Sequence, residues 1–344
     1  MSEPAPASLP GPSPAAAPRR VVSGMRPTGK LHRGHFQGAI RNWIRIVESG
    51  ADCFFFSADW HALTTHYKDP SEIRAAEREM FLDWIAAGLD PARCTLFRQS
   101  DVKQHAELFL LLGMIAPLGW LERVPTYKEQ IEQLKDKDLS NFGFLGYPVL
   151  QTADVAVYGA DAVPVGQDQV SHLEFARELV RRFNFLYKPV LVEPKALITE
   201  TPKILGTDGR KMSKSYGNAI ELGEDPAVAR KKIMGAVTDP ARQRRYDPGH
   251  PEVCGIYHLH RAYSTPARIT EVEVGCRSAG IGCVDCKKML LEALVPSLEK
   301  HRAARTELDR DPGQIDQIVK LGNEKARGVA EATMQKVRAA MKLA

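Results

Sequence analysis

Between residues 21 and 200, short apolar runs of strand length alternate with helical patterns, and this alternation restricts the chain to a parallel α/β sheet. The first run, Val21 and Val22, opens into Ser23-Gly24-Met25-Arg26-Pro27-Thr28-Gly29, a glycine-containing turn suited to an anion. The second is Cys53 to Phe56 and the third Thr95 to Phe97. Between these two, a helix is predicted with Asp69 as N-cap, Pro70 at its first position, Glu72 closing a capping box and Gly88 after its last turn. Ile73, Ala76, Met80, Trp84 and Ala87 keep helical spacing along it. After about residue 218 helical patterns take over, ending in a helix that starts at Asp311 and Pro312 and presents Ile315, Ile318, Val319, Ala326, Val329, Val337 and Met341 on one face. The expected division is a parallel α/β domain over 21–218 and a mostly helical domain over 219–344.

Six Pro and five Ala among the first twenty residues cannot bury enough surface to offset ordering entropy, so residues 1–20 are expected to be a disordered tail. With 44% hydrophobic and 26% charged residues over 344 positions, the rest is in the ordinary globular range. Leu108 to Trp120 is the longest apolar run; it contains Pro117 and falls short of the about 20 residues that span a bilayer. No secretory signal pattern is present, and a cytoplasmic location is expected. A net charge of +5 permits a nucleic-acid partner without requiring one. The basic stretch from Ala227 to Tyr246, with Arg230, Lys231, Lys232, Arg242, Arg244 and Arg245 against Asp239, is either a solvated face or a phosphate contact.

Two motifs carry chemistry. His32-Arg33-Gly34-His35 follows the first strand and its turn, where two imidazoles three residues apart share a face beside free helix N–H groups. Gly34 leaves room for a nucleotide to approach the backbone. Lys211-Met212-Ser213-Lys214-Ser215 follows the turn Gly206-Thr207-Asp208-Gly209, and its two ammonium groups can close on a polyphosphate. Each motif alone has a plain structural reading, a capped helix start or a solvated loop.

Together they resemble the HIGH and KMSKS signatures of class I aminoacyl-tRNA synthetases, with Arg33 in place of the usual aliphatic residue. Tyr147-Pro148-Val149-Leu150-Gln151-Thr152-Ala153-Asp154, then Val163-Pro164-Val165-Gly166-Gln167-Asp168-Gln169 and Arg182-Phe183-Asn184, are similar to the tryptophanyl-tRNA synthetase family over nearly all of residues 21–344. The resemblance implies a Rossmann-like catalytic domain of the HIGH/KMSKS nucleotidylyl transferase type with a dimer-interface insertion, and a helical anticodon-binding domain. Leu108 to Trp120 is a candidate for that interface and equally for an ordinary core helix.

The resemblance further implies that Asp154 accepts the indole N–H of L-tryptophan. A carboxylate only accepts and an indole only donates, so phenylalanine would leave the carboxylate unpaired. Without the family, Asp154 reads equally as a helix-capping or surface acid. His61, Tyr147, Gln151, Val163, Val165 and Gln169 are the other implied pocket positions, Gln151 standing where methionine is common. Tyrosyl-tRNA synthetases share the fold, but their substrate-binding tyrosine is missing from Val22-Ser23-Gly24-Met25-Arg26. A paralogue that binds tRNA or tryptophan without charging, and an iron-sulfur sensor on the same scaffold, are the rival readings.

For ATP, accompanied by Mg2+, the family pattern maps onto Arg26, Pro27, Thr28, Gly34, His35, Gly166, Gln167, Asp168, Ile204, Lys211, Met212, Ser213, Lys214 and Ser215. The tryptophan carboxylate is expected to attack the α-phosphorus, with His32, His35, Lys211 and Lys214 as the catalytic groups. The adenylate would then be attacked by the terminal ribose of tRNA(Trp).

Cys254, Cys276, Cys283 and Cys286 are separated by 21, 6 and 2 residues. Four thiolates ending in Cys-x-x-Cys suit a tetrahedral zinc or a [4Fe-4S] cluster. A subset of bacterial tryptophanyl-tRNA synthetases has a similar motif, its first interval one residue longer, that binds an iron-sulfur cluster; by this resemblance iron-sulfur is preferred and zinc is the alternative. Cys53 and Cys94 read as core residues.

Overall fold

The structure, a computed structural model, describes residues 20–124, 139–166, 170–198 and 204–343. The expected disordered tail lies outside these apart from Arg20. That residue is the first of strand β1 (Arg20–Met25) rather than the last of the tail, held by Asp52 at 2.9 Å. The chain continues through a short helix α1 (Arg33–His35) and a π-helical turn (Phe36–Ile40) into α2 (Arg41–Glu48), then β2 (Asp52–Ser57), α3 (Asp59–His66), α4 (Ile73–Ala86), β3 (Thr95–Arg98) and α5 (Gln104–Gly113). Next come α6 (Leu118–Leu121), α7 (Phe142–Leu145), α8 (Tyr147–Ala156), β4 (Ala162–Val165), α9 (Val170–Leu186) and β5 (Lys195–Ile198). Five helices follow: α10 (Pro226–Gly235), α11 (Gly255–Tyr263), α12 (Pro266–Arg277), α13 (Cys283–Leu308) and α14 (Pro312–Ala340).

All five strands are parallel in the order β3-β2-β1-β4-β5, the expected Rossmann-like class. Chain direction across the sheet reverses between β1 and β4, the place where such sheets open a ligand crevice at their carboxyl ends. Here β1 and β4 pair only through Val21 and Ala162. Beyond that pair the strands part, and Pro164 offers no N–H to close them. The sequence did not mark β4 or β5 because they are short, and Pro164 speaks against a central strand.

Alternate residues of β2 serve opposite faces. Phe54 and Phe56 pack with Phe97, Tyr158 and α9, while Cys53 and Phe55 pack with Trp43, Met80 and Trp84. Each fully buried phenylalanine contributes about 1.5–3 kcal/mol. Asp69 accepts the Ser71 N–H and hydroxyl, as an N-cap does, but the first residues after it form a turn closed by the Ile73 N–H on the Pro70 carbonyl, so regular helix α4 starts three residues later than predicted and no capping box with Glu72 forms. Its end is as expected: Gly88 has φ +113°, and Leu89 N–H reaches the Trp84 carbonyl.

Helix α14 returns to the sheet. Asn323 accepts the Arg98 N–H at 2.9 Å, and a Cβ at Gly322 would lie 1.8 Å from the Leu96 carbonyl oxygen, so only glycine permits this approach over β3. The other C-terminal helices share a separate core of Ile220, Ile233, Leu259, Leu290, Leu294 and Leu298.

Candidate active site

The two histidines of the first motif cap each other. His32 Nδ1 accepts the Gly34 N–H at 3.1 Å, and His35 Nδ1 accepts the His32 N–H at 3.2 Å, with ring centroids 3.8 Å apart. A Cβ at Gly34 would stand 2.9 Å from the His32 ring, so the glycine is required for this stacking as well as for open backbone. With both Nδ1 atoms accepting, each ring carries its proton on Nε2. Burial first, and then the Lys214 charge, lower the His32 pKa to about 4. Burial, His32 and Lys214 lower that of His35 to about 3. Both are neutral Nε2–H donors at physiological pH.

The second motif is brought to the first by backbone pairing. Arg33 N–H donates to the Ile220 carbonyl at 2.8 Å and Leu222 N–H to the Leu31 carbonyl at 3.0 Å. Lys214 Nζ lies 3.4 Å from the Thr28 carbonyl of the first turn, and burial lowers its pKa. Met212 is buried near Gly34, and its N–H donates to the Ile204 carbonyl at 3.1 Å. Lys211 is exposed, and Ser215 belongs to a short turn over Lys214–Tyr216. The loop is braced by buried Asn218, which accepts the Ser213 N–H at 2.8 Å and donates to Asp208 at 2.6 Å. Asn218 carried no signal in the sequence.

Arg33 is buried. It donates to Ser297 Oγ at 2.9 Å and to the Leu222 carbonyl at 3.4 Å, and its guanidinium lies 5.4 Å from the Tyr263 ring centre. The residue that departs from the synthetase signature thus ties the histidine motif to α11 and α13.

A cavity of about 460 Å³ opens where β1 and β4 part. Arg26, His61, Tyr147, Gln151, Asp154, Val163, Val165 and Gly166 line it, so eight expected binding residues meet in one place. Gly38 and Ala39 of the π-helical turn form another part of its wall. Gln167, Asp168 and Gln169 lie outside the described residues. Asp154 is neither a cap nor a surface acid: it is buried in α8, and its carboxylate meets His61 Nε2, Gln99 Nε2 and His105 Nδ1, each at 2.7 Å. Burial pushes its pKa up, but the His61 charge and the histidine hydrogen bonds outweigh this and hold it at about 2. Sequence reasoning missed Gln99 and His105, which sit on a different segment and have no local pattern. Pro27 is buried beside the first turn, and Thr28 is exposed.

The four cysteines gather at the ends of three helices. Cys254 precedes α11, Cys276 is near the end of α12, and Cys283 and Cys286 lie in the first turn of α13. Burial pushes the Cys286 thiol up to about 12, and the other three cysteines add to it. Among the described residues, no group of three or more His, Cys, Asp or Glu side chains is arranged to hold a metal ion, so the expected site is not preformed. Arg242 is buried beside it, donating to the Arg245 and Ile281 carbonyls at 2.9 and 2.7 Å, with Nη1 3.8 Å from Cys276 Sγ. None of these partners is a carboxylate. Cys53 and Cys94 are buried in the sheet core, as expected. No helix among the described residues is long and apolar enough to cross a membrane.

The family described as tRNA synthetases class I (W and Y) matches residues 15–299. The tryptophan–tRNA ligase of Thermotoga maritima is 51% identical over 94% of this chain and 99% of that relative, and the one of Ralstonia nicotianae is 44% identical over 95% and 99%. The crystal structure of tryptophanyl-tRNA synthetase from Campylobacter jejuni, complexed with ADP and tryptophan, superposes with a TM-score of 0.83 at 31% identity, covering 94% of this chain and 100% of that one. With paired histidine and lysine motifs flanking a parallel-sheet crevice, the chain belongs to the class I tRNA synthetases, in their tryptophan–tRNA ligase family.

Proposed function

We propose that the cavity between β1 and β4 seats tryptophan with its indole N–H on Asp154, and that the two motif loops hold the triphosphate of ATP. The enzyme is a tryptophan–tRNA ligase: it activates L-tryptophan with ATP to tryptophanyl-adenylate and pyrophosphate, then transfers tryptophan to the 3′ end of tRNA(Trp). The observation that carries the substrate assignment is the ionised Asp154 on the cavity wall, an acceptor set among apolar side chains such as Val163 and Val165 and polar ones such as His61 and Gln151. Val163 and Val165 supply apolar wall, and Tyr147, whose hydroxyl is 3.3 Å from His172 Nε2, closes one end.

In the activation step a carboxylate oxygen of tryptophan bonds to the α-phosphorus as the bond to the bridging oxygen breaks, and pyrophosphate leaves. No side-chain nucleophile is needed. His32 and His35 donate Nε2–H bonds to phosphate oxygens, and Lys211 and Lys214 offset the charge that develops on the leaving group. The Mg2+ of the nucleotide enters with its triphosphate and keeps most of its waters, so no carboxylate cage is required. Arg26, Thr28, Gly34, Gly166 and the Ile204–Met212 backbone frame the nucleotide, while the binding roles that the family pattern gives to Gln167, Asp168 and Gln169 fall outside the described residues.

The helical region from residue 219 is the anticodon-reading part, and Cys254, Cys276, Cys283 and Cys286 are the residues that would hold a [4Fe-4S] cluster there. Two features support the cluster. The four cysteines sit at the ends of three helices, and the buried Arg242 guanidinium beside Cys276 has only neutral partners among the described residues. Four thiolates on a cluster core carry a formal charge of about −2, which supplies the missing counter-charge. When bound, the cluster supplies a covalent staple between the ends of three helices. Of the six basic residues in the adjoining stretch, Lys232 is paired with Glu224 and Arg242 is buried, which leaves Arg230, Lys231, Arg244 and Arg245 exposed for RNA. The apolar face Leu110, Met114 and Leu118 is exposed, opposite core residues Leu108 and Leu112, and forms a homodimer contact.

Charging of tRNA(Trp) with labelled tryptophan, run beside tyrosine, tests the assignment. Charging with tryptophan alone is the expected result; charging with tyrosine, or none, refutes it.

A further inference from the structure

Asp154 is held by more groups than the cavity itself supplies. His105 is fully buried and stands behind the carboxylate, away from the cavity wall. Its Nδ1 is 2.7 Å from Asp154 Oδ1, and its Nε2 is 2.7 Å from the Tyr158 hydroxyl. Tyr158 is fully buried too, stacked on Phe54 with ring centres 5.2 Å apart and edge-on to Phe97 at 5.4 Å.

The proton positions follow from this enclosure. Burial, with the Asp154 charge adding to it, raises the Tyr158 pKa well above its usual value, so the phenol keeps its proton. The Asp154 carboxylate can only accept, so His105 Nδ1 donates to it; Nε2 of the neutral ring is left as the acceptor, and the Tyr158 hydroxyl donates to it. The imidazole proton is therefore on Nδ1 and points at Asp154 Oδ1. The opposite tautomer would set a nitrogen lone pair against a carboxylate lone pair in a dry interior, where such a mismatch is costly.

A carboxylate offers about four acceptor positions. Gln99 and His105 occupy Oδ1, and His61 takes one position on Oδ2. One acceptor position remains, on the oxygen that His61, itself a cavity residue, marks as facing the cavity. We propose that Tyr158 and His105 are positioning residues for amino-acid selection: their directional chain fixes the Asp154 carboxylate so that its single free acceptor position meets the indole N–H. This rests on the reading of Asp154 as the indole acceptor.

The corresponding test uses ATP–pyrophosphate exchange with L-tryptophan and with 3-benzothienyl-L-alanine, whose ring has sulfur in place of the N–H. The readout is the ratio of kcat/KM for the two amino acids in the wild-type enzyme and in Tyr158→Phe, His105→Leu and His105→Asn. The wild-type enzyme is expected to prefer tryptophan by about 100-fold or more, as sites built around a buried acceptor do. His105→Leu is expected to lower that preference about tenfold, the worth of a buried charge-assisted hydrogen bond, through KM for tryptophan and with little change for the analogue. Tyr158→Phe shifts the ratio in the same direction, and His105→Asn, which retains a donor near the place of Nδ1, restores it. Equal losses for both amino acids in His105→Leu and Tyr158→Phe, or an unchanged ratio, overturn the positioning role. A wild-type enzyme that fails to discriminate refutes instead the Asp154 assignment on which the role depends.

Discussion

His35 Nδ1 accepts the His32 N–H while His32 Nδ1 accepts the Gly34 N–H, which stacks the two rings with centroids 3.8 Å apart and leaves both Nε2–H groups to donate. The motif therefore works by fixing a tautomer, and its histidines serve as donors that need not change protonation state.

One consequence concerns pH. The unfolded histidines titrate near 6.5, and the folded ones near 4 and 3. The unfolded state takes up protons first as pH falls, so these two groups leave stability unaffected above pH 6.5 and cost stability progressively from there down to their folded values. Histidine ring NMR is expected to show both residues neutral and Nε2-protonated throughout pH 6 to 8. A titration midpoint near the usual histidine value contradicts the capping account.

Replacing either donor removes charge stabilisation in the activation step. His32→Ala or His35→Ala is expected to lower kcat for ATP–pyrophosphate exchange by about 100-fold or more while tryptophan affinity changes little. Equilibrium binding of tryptophan beside pre-steady-state adenylate formation separates the two effects.

Arg33 links the histidine motif to Ser297 and Tyr263, with no carboxylate partner among the described residues. Arg33→Met keeps the volume and loses the polar ties, and is expected to lower stability by about 1–3 kcal/mol in urea unfolding. Arg33→Lys is expected to be no better, because a single ammonium cannot both reach Ser297 and lie against the Tyr263 ring.

The four cysteines give a sharper contrast. Serine at any of Cys254, Cys276, Cys283 or Cys286 is expected to lower iron content and broad visible absorbance in anaerobically purified protein, and Cys53→Ser and Cys94→Ser to leave both unchanged. Arg242→Gln is expected to speed cluster loss in air. Stoichiometric zinc without iron in the wild-type protein selects the alternative metal.

Much of this was legible in the sequence for a physical reason. Val21-Val22, Cys53 to Phe56 and Thr95 to Phe97 are strands because dense apolar runs buried on both faces announce themselves locally. The histidine and lysine motifs are local as well, and so is the Gly88 stop signal. Pro164 hid β4, and Asp69 makes its cap contact to Ser71 ahead of a turn, so that the regular helix begins only at Ile73. Gln99, His105, Tyr158 and Asn218 act through partners 10 to 55 residues away. Such partnerships are set by how the sheet and helices pack, and no spacing rule reports them.

The most direct test of the account is ATP–pyrophosphate exchange measured with tryptophan and with tyrosine in the wild-type enzyme and in Asp154→Asn. The account predicts exchange with tryptophan only, and a fall of about 10- to 100-fold in kcat/KM for tryptophan when Asp154 loses its charge. Exchange with tyrosine, or an Asp154→Asn enzyme that uses tryptophan as well as the wild type does, contradicts it.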